Sequence, residues 1–284
     1  MTFRYTSNNG DAIEFGVASP YFADPDSLLG YEFDYERKGT AISGIVIGGA
    51  ERSLQITINA NTEDEGAELL DKMARAFEYD VRLGVPGVIE IDGYTASAFV
   101  MAFEPFADDS FGLYSVEIDA SVVFIAAEWT RTTTHSFYKR SSSAQSAGVG
   151  YPHDYPHDYG CSGQHGIVSN PAATPSDIRI TIYGPAVHPY VIIGGNRYEV
   201  DATVDDGGLL IIDGATKTDR SIVLRSQTGV ETNAFSFRRG VQKPGSGSFV
   251  FEQINPGLSI VEWSGTFGFD VEMFERRAMR RCSP

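Results

Sequence analysis

The sequence predicts a mainly β protein with one helix, in two domains joined by a connector. Three observations predict it. A single segment carries helical apolar spacing behind a capping signal. Alternating apolar and polar runs recur through the rest of the chain. A Ser/Thr/Gly-rich stretch, closed by a tyrosine–proline repeat, separates an earlier set of strands from a later one. The 30 glycines, 14 tyrosines and 18 phenylalanines suit β structure with many turns.

The helix is expected from Glu63 to Glu78. Thr62 is followed three residues later by Glu65, a capping box. Glu63, Asp64 and Glu65 put negative charge where the helix dipole favours it. Leu69, Leu70, Met73 and Phe77 then form one apolar stripe.

Strands surround it. In LQITINA, Leu54, Ile56 and Ile58 alternate with Gln55, Thr57 and Asn59. Asp92-Gly93 sits between two β-prone runs and predicts a two-residue hairpin. YSVEIDASVVF sets Tyr114, Val116, Ile118, Ala120 and Val122 against polar neighbours. In the second arm of the hairpin, Ala96, Ala98 and Ala102 alternate with Thr95, Ser97, Phe99 and Met101. Neither face reads as plainly wet. One face can lie under the helix, and the other calls for a neighbouring subunit, which makes Phe99 and Met101 interface candidates.

These elements compose a first domain over 1–135. Residues 136–160 read as the connector and 161–284 as a β-sandwich domain. IRITIYG alternates Ile178, Ile180 and Ile182 with polar residues. Further strands are expected at YVIIGG, NRYEVDA, GLLIID, SIVLRS, AFSFRR, SFVFEQ, LSIVEWS and GFDVEMFER.

The connector ends in GYPHDYPHDYG. His153, Asp154, His157 and Asp158 could be a metal site, but Pro152 and Pro156 forbid a regular helix. In an extended chain the two histidines stand about 12 Å apart, too far for one ion. The packed-connector reading is favoured. Tyr151, Pro152, Tyr155, Pro156 and Tyr159 then form a stiff aromatic segment laid against a neighbouring surface.

A formal net charge of −16 argues against gripping nucleic acid or anionic lipid through a basic face. No apolar run reaches membrane-spanning length, and MTFRYTSNNGDAIEF lacks the apolar core of a signal peptide. Cys161 and Cys282 are expected as free thiols in a chain folded in a cytoplasm. No nucleophile elbow, phosphate loop or His-Glu-x-x-His helix is present. The histidines His135, His153, His157, His165 and His188 all sit in loop-like sequence. The pairs Asp24/Asp26, Asp108/Asp109 and Asp205/Asp206 lack calcium-loop spacing and read as turns. The expectation is no catalytic residue, no cofactor and no metal.

The order of these features resembles the distal tail proteins of long-tailed bacteriophages. The residues that carry the resemblance are FIAAEWTRTTTHSFY at the exit of the first domain, the segment YPHDYPHDYG that opens the second, and IRITIYGPAVHPYVIIGG after it. GSGSFVFEQINPGLSIVEWSG, with Pro256-Gly257, completes the set. His188-Pro189 stands where the family carries an Asn-Pro pair. The resemblance implies a tail-tube-like N-terminal domain closing into a hexameric ring, and a galectin-like C-terminal β-sandwich outside it. It implies a non-enzymatic virion protein, assembled in the host bacterial cytoplasm. Its partners would be the tail tube protein, a tail-associated lysin or hub protein, and receptor-binding or tail fibre proteins. DNA would only pass through the channel. A second reading is a glycan-binding β-sandwich that recognises cell-wall sugar, with Trp263 and Tyr190 as its aromatic candidates.

Overall fold

The computed structural model describes residues 2–31, 33–46, 49–107, 112–126, 128–140, 165–216 and 219–281. The chain forms two compact units. Unit 1 comprises Met1–Arg131 and Arg276–Pro284, and unit 2 comprises Thr132–Glu275. Unit 2 is thus inserted, in sequence, before the last residues of unit 1. The expected connector residues Tyr151, Pro152, Tyr155, Pro156 and Tyr159 lie outside the described residues. So do His153, His157, Asp108, Asp109, Cys161 and Cys282.

In unit 1 the strands are β1 (Phe3–Thr6), β2 (Ala12–Phe15), β3 (Tyr21–Ala23), β4 (Asp34–Lys38), β5 (Ala41–Val46), β6 (Ala50–Asn59), β7 (Gly87–Ile91), β8 (Tyr94–Ala107) and β9 (Ser115–Phe124). β10 (Trp129–Phe137) starts in this unit, with Thr130 opposite Thr95 and Arg131 opposite Tyr94. The pairings run β8-β7-β1-β2-β3-β6-β9, and β9 pairs back onto β8. Seven strands therefore close on themselves, which leaves this ladder without free edges. The closure depends on the length of β8. Its first residues, 94–98, pair with β7, and the stretch from Ala98 to Ala107 pairs with β9. Inward residues such as Ile13, Ile58, Ile89, Ile91 and Ile118 are fully buried. Each contributes about 1.5–3 kcal/mol by removal from water.

The helix α1 spans Glu63–Leu83, a turn longer than the apolar stripe suggests. Thr62 Oγ1 accepts the Glu65 amide at 3.1 Å, as the capping box predicts. Glu65 Oε2 reaches one residue further back than expected, to the Asn61 amide at 2.8 Å. The helix ends at Gly84, whose φ of 70° supplies the left-handed cap. Met73 and Phe77 join the barrel core, and the Phe77 ring meets Tyr5 edge-on at 4.8 Å. The Asp92-Gly93 hairpin has φ of 50° and 77°, as a turn joining adjacent strands of this twist requires.

Unit 2 contains β11 (His165–Asn170), β12 (Asp177–Tyr183), β13 (Ala186–Val187), β14 (Tyr190–Ile193), β15 (Asn196–Glu199), β16 (Thr203–Val204), β17 (Leu209–Asp213), β18 (Ser221–Arg225), β19 (Glu231–Asn233), β20 (Gly257–Trp263) and most of β21 (Phe269–Arg277). One antiparallel layer runs β19-β18-β17-β12-β21 and a second runs β11-β20-β14-β15. Ile178, Ile180, Ile182, Leu210 and Val271 from the first layer share a core with Val168, Val191, Ile193, Val261 and Trp263 from the second.

Two segments expected as strands are not. AFSFRR forms a short 3-10 turn at Phe235–Phe237, and SFVFEQ is irregular, although Phe249, Val250 and Phe251 are buried. The reason is where the backbone finds partners. Asn196 Nδ2 donates to the Phe249 carbonyl at 2.9 Å, and the Tyr198 hydroxyl donates to the Glu252 carbonyl at 3.0 Å. Side chains satisfy these groups in place of a strand ladder.

Candidate functional site

The arm that carries Phe99 and Met101 is interrupted by a bulge. Val100 pairs with Val122, but the next pair is Ala102 with Ser121, so Met101 is an extra residue on β8. The alternation therefore slips. Ala96, Ala98 and Val100 are buried, and inward packing resumes at Phe103 rather than at Ala102. The sequence reading that placed Ala102 on the face of Ala96 and Ala98 is corrected by this register shift: Ala102 is exposed. Phe99 is half-buried and Met101 is 58% exposed. Further along the same strand Phe106 is also exposed.

A second surface escaped sequence reading. β4 and β5 pair only with each other, as a separate two-stranded sheet. Tyr35 stands opposite Ile45, and Glu36 opposite Gly44. The register then shifts, and Arg37 stands opposite Ile42. Without this bulge, Ile42 and Ile45, three residues apart, would point to opposite faces. With it, Tyr35, Ile42 and Ile45 share one face, together with Arg37, which stands directly opposite Ile42. They are 60%, 59% and 65% exposed. An isolated two-stranded hairpin is marginal in water, so a covered face would steady it. The stretch DYERKGTAISGIVI shows no period-two alternation across both arms, and nothing local marks the bulge that unites their apolar side chains.

The aromatic candidates of the glycan reading are both engaged. Trp263 is buried, its indole N–H donating to the Phe267 carbonyl at 3.2 Å. The Arg197 guanidinium lies 3.7 Å from the centroid of the Tyr190 ring and covers that face. Trp263 therefore offers no free platform, and Tyr190 has one face occupied. The acidic pairs that are described serve turns and pairing: Asp24 accepts the Asp26 amide at 2.9 Å, and the Asp205 carbonyl accepts the Gly208 amide at 3.0 Å. Among the described residues, no group of three His, Cys, Asp or Glu is placed to hold a metal ion.

No protein-family model matches the sequence, and no curated protein matches it. Solved structures do match. One is the Dit protein (gp 19.1) of phage SPP1, described as a paradigm of the hub adsorption apparatus in phages infecting Gram-positive hosts. Its TM-score is 0.52 at 10% identity, over 98% of this chain and 100% of that one. Chains of the phage p2 baseplate in its activated conformation match with TM-scores of 0.55 with Ca and 0.54 with Sr. Both are 10% identical and cover 98% of this chain and 99% of theirs. Across nearly its whole length the chain thus has the fold of phage Dit and baseplate proteins, and the resemblance to distal tail proteins carried by its motif order holds at the level of fold.

Proposed function

We propose that the protein is a structural component of a phage tail tip, in which unit 1 closes with copies of itself into a hexameric ring. The ring joins the tail tube to a hub or tail-associated lysin, and unit 2, a galectin-like module, stands outside it as an attachment point for receptor-binding or tail fibre proteins. The observation that carries this reading is the hairpin β4–β5. Its exposed apolar face of Tyr35, Ile42 and Ile45 has no cover among the described residues of its own chain. Three exposed apolar side chains grouped beside one arginine, Arg37, suit a subunit interface. A head-to-tail contact between identical copies closes into a ring when the rotation allows. Met101 and Phe106 on β8 supply a second exposed apolar stretch. The net charge of −16 suits a channel wall along which DNA slides without adhering. No catalytic step or cofactor is part of this role.

The direct test is negative-stain imaging and native mass measurement of the purified protein, alone and with its tail-tube partner. Rings of uniform copy number are expected. Compact monomers at every concentration and with the tail-tube partner present would overturn the reading.

A further inference from the structure

We propose that unit 2 carries a saccharide-binding subsite in the cavity walled by Tyr138 and Tyr183 and bordered by Asp270. This site is distinct from Trp263 and Tyr190, and it lies wholly within unit 2.

The chain builds the cavity from fixed parts. Phe137 is anchored in the core, stacked on Phe269 at 4.7 Å and edge-on to Trp263 at 5.5 Å. Successive side chains of an extended segment point to opposite sides, so anchoring Phe137 inward sends Tyr138 outward. Tyr138 is 81% exposed. Gly268 lets this segment lie close. A Cβ there would stand 3.1 Å from the Phe137 carbonyl oxygen and 3.3 Å from the Lys139 amide nitrogen. The opposite wall is Tyr183, the last residue of β12, whose amide donates to the Gly268 carbonyl at 2.9 Å. Its hydroxyl donates to Asp270 Oδ2 at 2.5 Å. That hydrogen bond, with burial and the Asp270 charge, pushes the Tyr183 phenol up to about 12. At neutral pH the phenol keeps its proton and holds the carboxylate in place.

The space between measures about 430 Å³, within the range of small-molecule sites, about 300–1,000 Å³. Its chemistry selects the ligand class. Tyrosine rings offer flat apolar faces of low entropic cost, which suit the C–H face of a pyranose ring. Asp270 is an acceptor for the hydroxyls on that ring's edge, and a carboxylate makes the stronger kind of hydrogen bond. Lys139 supplies donors at the rim. With one carboxylate, Asp270, and one ammonium, Lys139, the lining carries no net charge to favour an anionic or a cationic polymer. The ligand is therefore a neutral saccharide.

The test uses the full chain and does not depend on ring assembly, because the whole site belongs to one unit of one copy. Saturation-transfer NMR and intrinsic fluorescence are recorded against glucose, galactose, rhamnose, N-acetylglucosamine, N-acetylgalactosamine and their disaccharides. Saturable binding of at least one member is expected. Tyr138→Ala and Asp270→Asn should each weaken it by about tenfold or more, the effect of losing one good contact. Tyr138→Ala should leave the melting temperature unchanged, and Tyr31→Ala in unit 1 should leave binding unchanged. Three results would overturn the proposal: no saturable binding across the panel at millimolar concentrations, binding that both site variants retain, or preference for poly(glycerol phosphate) over every neutral sugar.

Discussion

The Tyr5 hydroxyl donates a 2.5 Å hydrogen bond to Asp80 Oδ2, tying the first strand of the barrel to the last turn of its helix. Asp80 is fully buried, and its other oxygen accepts from Ser7 Oγ at 3.0 Å and from the Asn8 amide at 2.8 Å. A buried carboxylate is tolerated only when it is fully hydrogen-bonded, and here the partners come from residues more than seventy positions away. Asp80→Ala should therefore lower the stability of unit 1 by about 3 kcal/mol or more, because it strands several buried donors at once. Tyr5→Phe should cost about 1.5–3 kcal/mol, the worth of one hydrogen bond to a charged group. Urea unfolding of the two variants checks the order. Equal stability of Asp80→Ala and the parent protein would show that the cluster contributes nothing.

Three tyrosines set an alkaline limit. Burial, and then the hydrogen bond to Asp80, raise the Tyr5 phenol far above its ordinary value, and burial does the same for Tyr198. The Tyr183 phenol rises to about 12, chiefly through its bond to Asp270. Each group gains its proton more readily in the folded state than in the unfolded one. The stability they confer is thus complete below the ordinary tyrosine value of about 10 and is lost as pH rises from there toward the folded values. Absorbance titration should show these phenols ionising late, together with loss of structure. A single reversible titration of all tyrosines near pH 10, with the fold intact, would contradict this.

The end of the chain makes an ion pair of unequal partners. Arg280 is buried and its Nη2 donates to Asp26 Oδ1 at 2.7 Å, while Asp26 is largely exposed. Among the described residues, Arg280 Nε and Nη1 have no partner. Removing the carboxylate leaves a buried guanidinium without compensation, so Asp26→Ala should cost about 3 kcal/mol. Replacing the guanidinium with an apolar side chain removes the unpaired donors as well, so Arg280→Met should be close to neutral. Thermal melts decide it. A larger loss in Arg280→Met than in Asp26→Ala would reverse the assignment of which group is strained.

These three clusters also mark where sequence reading stops. The helix was legible because its signals are local: Thr62 and Glu65 cap it, and Met73 and Phe77 line its stripe. The alternating strands were legible for the same reason, as at Leu54, Ile56 and Ile58. Closure of the barrel was not, because the doubling of β8 onto both β7 and β9 depends on residues far apart in sequence. The return of residues 276–281 to unit 1 is equally long-range, carried by Arg280 and Asp26, 254 positions apart. At the candidate surface, Met101 could be singled out from its mixed-face strand. The hairpin face of Tyr35, Ile42 and Ile45 could not, because a one-residue bulge decides which side chains share a face and leaves no compositional mark.

That hairpin is where the assembly can be dissected. Ile42 and Ile45 are exposed in the single chain, so Ile42→Asp and Ile45→Asp remove no buried contact of their own fold. Such surface substitutions shift stability by about 0.5 kcal/mol or less. In an assembled ring the same aspartates would be buried without partners, at a cost of several kcal/mol per interface, repeated at every contact around the ring. The variants should therefore melt like the parent protein and yet remain monomeric in native mass measurement and negative stain. Met101→Asp distinguishes the second surface in the same way, since Met101 is exposed on its bulge. Phe99→Asp is less clean: the ring is half-buried, so loss of assembly there has to be read beside its melting temperature. Rings that form undiminished from the Ile42→Asp and Ile45→Asp double variant would place the subunit contact elsewhere and remove the observation on which the ring proposal rests.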